Sequence, residues 1–145
     1  MKTLVIMQPH FFPWFGYFDL IKNSDIFVFL DNVTFPHRSF VNRVKFNIDN
    51  NISWVTLPLS RKNNQLINET FLFEKEKNFK KLKKKIFHSL HKNPHYEVLE
   101  DLLNQVVIDD IKTISEFNIL TIKKISNYIF NRKINIYKSS DLNIS

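Results

Sequence analysis

Two short apolar runs, residues 3–7 and 26–30, flank a proline-rich loop and a short helical pattern. That arrangement constrains the fold more than any other feature of the chain. Continuous apolar, β-branched runs bounded by polar residues suit strands buried on both faces. Two of them joined by a loop and a helix predict a βαβ unit, hence a parallel pair with a right-handed crossover. Ligands in such sheets sit beyond the carboxyl ends of the strands. Gln8, Pro9 and His10 follow the first run, and Asp31 and Asn32 follow the second, so both groups are expected on that rim.

The stretch between the runs reads Gln8-Pro9-His10-Phe11-Phe12-Pro13-Trp14-Phe15-Gly16-Tyr17-Phe18 and holds two of the five prolines and the only glycine. Each proline turns its preceding residue away from helix, which predicts a loop over 8–16 and a helix over 17–23. One glycine in 145 residues excludes a Walker loop and a dinucleotide fingerprint, since both need several. The absence of cysteine removes disulfides and thiolate zinc motifs and fits the cytosol. No run of eighteen apolar residues exists, and the N-terminal apolar run is too short for a signal peptide. A cytoplasmic location without a membrane span is expected. The length corresponds to one domain. A net charge of +7 points to an anionic partner such as a nucleotide or phosphate, although a composition rich in lysine and asparagine accounts for much of it.

Residues 33–43 read as a loop with some extended structure. Alternation at Val44, Phe46 and Ile48, a turn at 49–51 and a return over 52–57 predict a hairpin. A polar loop over 59–69 and a short strand at 71–73 follow. From Lys75 the period becomes helical: Phe79, Leu82, Ile86 and Leu90 share one stripe, opposite Lys77, Lys80, Lys81, Lys84 and Lys85. Helices over 97–107 and 110–130 and a strand over 134–137, leading into Ser139-Ser140, complete the chain. The expected fold is α/β: a small parallel-containing sheet with a βαβ start, a β-hairpin insertion and a helical second half. The lysine face reads as a solvated helix face before a nucleic-acid surface, because aromatic residues are thinly interleaved there. His88, His91 and His95 have ligand-like spacing but no accompanying carboxylate pattern, so no metal site is expected.

His10 is the best single candidate for chemistry, as a general acid or base or a phosphate donor; packing among phenylalanines is the competing role. Asp31 suits a hydroxyl, a cation or an amine, or else a turn. Arg38 and Arg43 suit bidentate contact with phosphate or carboxylate, or else surface ion pairs. Asn42 orients a ligand or closes a turn. Tyr17 and Trp14 offer stacking surfaces, with core packing the stronger competitor for Trp14. Gln8 contacts a ligand or caps its loop.

Taken in order, these pieces resemble the WbqC family of bacterial proteins, often encoded among genes for O-antigen and other surface polysaccharides. The resemblance is carried by residues 6–18, by Asp25-Ile26-Phe27-Val28-Phe29-Leu30-Asp31-Asn32-Val33, by Asn42-Arg43 and Trp54-Val55-Thr56-Leu57-Pro58-Leu59, and by Phe117-Asn118-Ile119 and Ser139-Ser140. Asn32 stands where the family usually has a second acidic residue. Family members run on past the position of Ser145, so an N-terminal portion of a single WbqC-like domain is expected. The opening also looks like the nucleotidylyltransferase-type α/β fold, in which a histidine-bearing loop meets phosphates. The resemblance implies a role in lipopolysaccharide or other surface-polysaccharide biosynthesis, with an acyl- or aminoacyl-transferase acting on a nucleotide-linked aminosugar; it implies no particular cofactor. On that reading His10 and Asp31 are the catalytic candidates. Gln8, Tyr17, Arg38, Asn42 and Arg43 would hold the nucleotide-sugar or another phosphorylated ligand. The alternatives are a non-catalytic module that binds a nucleotide-sugar or a partner, and a basic nucleic-acid-binding domain.

Overall fold

The computed structural model describes residues 1–48, 51–108, 110–131 and 135–142. In chain order the elements are β1 (Leu4–Met7), α1 (Phe15–Lys22), β2 (Ile26–Phe29), β3 (Arg43–Ile48), β4 (Asn51–Thr56), β5 (Leu59–Ser60), β6 (Phe71–Leu72), α2 (Lys75–Leu90), α3 (Tyr96–Ile108), α4 (Ile114–Phe130) and β7 (Ile136–Lys138). The expected turn residues Asp49 and Asn50, and Ile134 of the expected last strand, lie outside the described residues.

The βαβ start forms as anticipated. β1 and β2 are parallel, with Leu4 opposite Ile26 and Met7 opposite Phe29, and β7 adds in parallel on the far side of β2. The order β1-β2-β7 steps in one direction. Right-handed crossovers therefore put α1 and α4 on the same face of the sheet. There Tyr17, Phe18 and Ile21 of α1 and Ile119 and Ile122 of α4 pack on Phe27 and Phe29, with Val5, Met7 and Ile136 alongside. The opposite face is left open over β1, where Leu4 and Ile6 remain 57% and 50% exposed, and Leu142 lines a pocket there beside the buried Val28. β1 is thus an edge strand, half-buried on its packed side alone, and the expectation of a buried strand there is corrected. β2, flanked by strands on both sides, does bury Phe27, Val28 and Phe29.

A second core joins the hairpin to the helical half. Val55, the α2 stripe of Phe79, Leu82 and Ile86, Leu102 and Leu103 of α3, and Ile114 and Phe117 of α4 enclose Phe11, Phe35 and Val41 from the loops. Phe117 is the hub, with ring centroids 5.7 Å from Phe11 and 5.1 Å from Phe79. The β3–β4 hairpin pairs Arg43 with Thr56 and Lys45 with Trp54.

Three boundaries moved for identifiable reasons. α4 begins at Ile114 rather than 110 because Thr113 and Glu116 form a capping box: the Glu116 N–H donates to Thr113 Oγ1 at 3.2 Å, and the Thr113 N–H donates to the Glu116 carboxylate at 2.9 Å. α1 begins at Phe15 rather than Tyr17, so Gly16 lies inside a helix and not in the loop. A Cβ on Gly16 would overlap the Trp14 indole as it lies, so the glycine lets that exposed ring rest over the first turn and is not there for an unusual backbone. Trp14 itself is 71% exposed, which corrects its expected place in the core. The polar loop over 59–69 contains β5, paired antiparallel with β6, and a 3₁₀ turn over Ile67–Glu69.

Candidate functional site

Two loops meet above the carboxyl ends of β1 and β2: residues 8–14 and residues 30–42. The Phe11 N–H donates to the Phe40 carbonyl at 2.8 Å. Beneath them Asn118 of α4, wholly buried, donates from its amide nitrogen to the carbonyls of Pro9 and Val41, both at 2.8 Å. Its amide oxygen has no partner. Asn118 therefore stitches both loops to the helix. Phe12 sits at φ 45°, a strained conformation for a side chain of its size, and is held by ring contacts with Phe11, Phe46 and Phe117.

His10 lies between two rings of this framework, 5.4 Å from Tyr17 and 6.0 Å from Phe40 between centroids. Partial burial disfavours its charged form and lowers its pKa below the ordinary 6.5, so the imidazole is neutral at neutral pH and keeps one nitrogen as a proton acceptor. Tyr17 is fully buried behind it and donates from its hydroxyl to the Gln8 carbonyl at 2.8 Å. Burial pushes the phenol pKa far up, so it remains a donor. Tyr17 thus supports His10 and the start of the loop from behind and presents no surface to a ligand. Gln8 is half-buried, and its backbone carbonyl serves this support.

Asp31 follows β2, is 2% exposed, and is fully engaged. Its Oδ1 accepts from the Ser139 hydroxyl at 3.0 Å and the Ser140 N–H at 3.0 Å; its Oδ2 accepts from the Ser140 hydroxyl at 2.8 Å, with the Ser115 hydroxyl at 3.5 Å. Asn32 Oδ1 lies 2.6 Å from the same Ser139 hydroxyl. The Asp31-Asn32 and Ser139-Ser140 motifs are therefore two halves of one latch between the carboxyl ends of β2 and β7. Beside it opens a polar cavity of about 570 Å³, lined by Asp31, Asn68, Ser115, Glu116, Lys123 and Ser140 among others. Asn68 donates its N–H to the Asp31 carbonyl at 3.0 Å, and its buried side-chain oxygen has no partner. A larger, apolar groove of about 710 Å³ lies between α3 and α4, around Tyr96, Leu99, Ile125 and Tyr128. It contains none of the residues expected to carry chemistry, so the polar cavity is the better site despite its smaller size.

The arginines sit at the root of the hairpin. Arg43 lays its guanidinium over the Trp54 ring, 4.4 Å from the centroid, and donates to the Arg38 carbonyl. Arg38 is exposed, at φ 53°; its backbone, not its guanidinium, meets Arg43. Asn42 closes the turn into the hairpin, donating from its side chain to the Leu57 carbonyl at 3.1 Å while accepting the Leu57 N–H at 2.8 Å. Phe40 connects this group to His10, since its ring also lies 5.9 Å from Trp54.

The structure thus brings Gln8, His10 and Tyr17 together, sets Arg38, Asn42 and Arg43 next to them through Phe40, and gives Asp31 its own serine cluster and cavity. Asn118, Phe40, Trp54 and Ser115 received no role from sequence. The visible signal was a polar residue amid the apolar run of α4 for Asn118, and a tryptophan on an alternating hairpin for Trp54. Among the described residues no group of three histidine or acidic side chains is placed to hold a metal; His91 stacks on Phe87 and His95 meets the Tyr128 hydroxyl at 3.2 Å. No described helix is long and apolar enough to cross a membrane.

A parallel sheet packed by helices on one face, with a histidine loop and an aspartate at adjacent carboxyl ends, defines a small α/β protein. Residues 8–145 match the WbqC-like protein family, and the chain belongs to it. An uncharacterized protein of Mycobacterium tuberculosis is 35% identical over 74 residues, which cover 50% of this chain and 32% of that relative. The chain thus matches about a third of the relative's length. No solved structure matches it.

Proposed function

We propose that this protein serves bacterial surface-polysaccharide biosynthesis in the cytoplasm, transferring an acyl or aminoacyl group to the amine of a nucleotide-linked aminosugar. The observation that carries the reading is His10, kept neutral by burial at the carboxyl end of β1, one strand over from Asp31 and its polar cavity. A neutral imidazole is the form that accepts a proton. As the sugar nitrogen attacks the acyl carbon of an activated donor, the N–C bond forms, the donor's leaving group departs and His10 takes the amine proton. Asp31, its oxygens spent on serines, fixes the Ser115 and Ser140 hydroxyls at the cavity wall, where they orient sugar hydroxyls. Arg38 and Arg43 hold phosphate at the hairpin root. Gln8, Tyr17 and Asn42 act as the frame behind these groups, given where their polar atoms are spent.

The test is a mass-spectrometric transfer assay with nucleotide-linked aminosugars and activated acyl or aminoacyl donors. His10→Ala should abolish product, and Arg43→Ala should raise KM. Turnover untouched by both changes would remove this site from the reaction. Binding of the nucleotide-sugar without any transfer would replace the enzyme by a binding module.

A further inference from the structure

We infer that the solvent face of the β3–β4 hairpin is a nucleoside-phosphate subsite, with Trp54 and Phe40 as the ring platform and Arg43 and Lys45 as the phosphate contacts. Alternation along the hairpin sends Val44, Phe46 and Val55 toward the core. Arg43 and Lys45 of β3 and Trp54 of β4 take the other face, with Lys45 directly opposite Trp54. On an ordinary antiparallel ribbon that face is polar. Here Trp54 is 42% and Phe40 53% exposed. The Arg43 guanidinium and the Lys45 ammonium both stand over the Trp54 ring, at 4.4 and 5.2 Å.

The cations have no acidic answer. The ion pairs among the described residues are Lys77–Glu74, Lys112–Asp110 and Lys138–Asp141, and none involves Arg38, Arg43 or Lys45. The buried Nε of Arg43 has no partner at all. Cation–π packing alone would explain why Arg43 lies on Trp54. It explains neither the exposed Phe40 nor two neighbouring cations, Arg43 and Lys45, without a carboxylate. A ligand joining a flat ring to phosphate satisfies both, because stacking accepts any base and the guanidinium and ammonium supply the anion contacts. The rings of His10, Phe40 and Trp54 also run in sequence, 6.0 and then 5.9 Å apart, so a nucleotide held on the hairpin leads directly to His10. The inference deepens the proposed transferase reading, resting on it only for what the nucleotide carries.

The experiment uses the Trp14→Phe protein, in which Trp54 is the sole tryptophan. Its fluorescence is followed during titration with uridine diphosphate, uridine, inorganic pyrophosphate, a single-stranded oligouridylate and anionic phospholipid vesicles. Saturable quenching by uridine diphosphate is expected, with uridine and pyrophosphate at least tenfold weaker. The exposed change Lys45→Ala should weaken binding several-fold and flatten its salt dependence. Trp54→Leu, followed by calorimetry, should weaken it about tenfold or more, as loss of one stacked base contact does. Absence of uridine diphosphate binding, or affinity indifferent to both changes, overturns the subsite. So does tighter binding of the oligonucleotide or the vesicles, which would reassign the face to nucleic acid or membrane. Nucleotide binding with no transfer leaves the subsite standing and removes the transferase. Transfer indifferent to Lys45→Ala and Trp54→Leu does the reverse.

Discussion

Replacing Asn118 by alanine should loosen both rim loops at once. The side chain is fully buried, and its amide nitrogen makes two 2.8 Å hydrogen bonds, to Pro9 and Val41. Truncation strands both carbonyls, at about 1–3 kcal/mol for each buried group left without a donor. The lost amide oxygen had no partner, so its removal returns some of that cost. A net loss of about 2–4 kcal/mol follows, a large share of the roughly 5–15 kcal/mol that holds a domain of this size together. Asn118→Asp should be worse than Asn118→Ala, because it sets a buried carboxylate against two carbonyl oxygens. Urea unfolding measures the loss. A second reading separates positioning from general stability: the NMR titration of His10. Its lowered pKa depends on the shelter of Tyr17 and Phe40, which the stitched loops provide. In the alanine variant, under conditions where it remains folded, the His10 pKa should climb back toward 6.5. A loss below about 1 kcal/mol together with an unmoved His10 titration would refute the argument.

Two further outcomes follow from the same geometry. Asp31→Ala should cost about 2–4 kcal/mol, since it takes away the acceptor of the Ser139 and Ser140 hydroxyls and of the Ser140 N–H, and hydrogen exchange should show β7 opening first; equal protection of β7 in both proteins would contradict the latch. His10 also sets a pH limb. Because its folded-state pKa lies below 6.5, the unfolded chain binds more protons between that lowered value and 6.5; stability is therefore full above pH 6.5 and is lost as pH falls through the folded-state value. Thermal melts of His10→Gln should lack this component, and an unchanged acid limb would show that His10 does not supply it.

Local features of this chain could be read from sequence, and features that depend on distant partners could not. The apolar runs of β1 and β2 announced the βαβ start because strand pattern is local. Which face of the sheet would be packed was hidden, since it depends on the direction in which β7 joins. The rim position of His10 and Asp31 followed from strand polarity. Their surroundings did not: Asp31 finds its serines 108 and 109 residues away, and Asn118 reaches back 77 and 109 residues. Tyr17 looked like a ligand contact because its residue type suits one, yet the helix phase of α1 turns it into the core. Gly16 was assigned to the loop from its usual backbone preference. In the folded chain it lies in α1 with the Trp14 ring, two residues earlier, resting against it.

The Asp31 latch also bears on how the chain assembles. β2 gains its second neighbour only when β7 arrives, across a sequence separation of 109 residues. Closing so long a loop is entropically slow. The helices and the hairpin, built from near neighbours in the chain, can form well before that. On a ribosome the first two strands would emerge early and wait, two-stranded and open along the β2 edge, until β7 has been synthesised. Asp31 thus gains its serine partners only when β7 pairs, so a molecule stalled before that step has the loop after β1 in place but an aspartate without its hydrogen bonds.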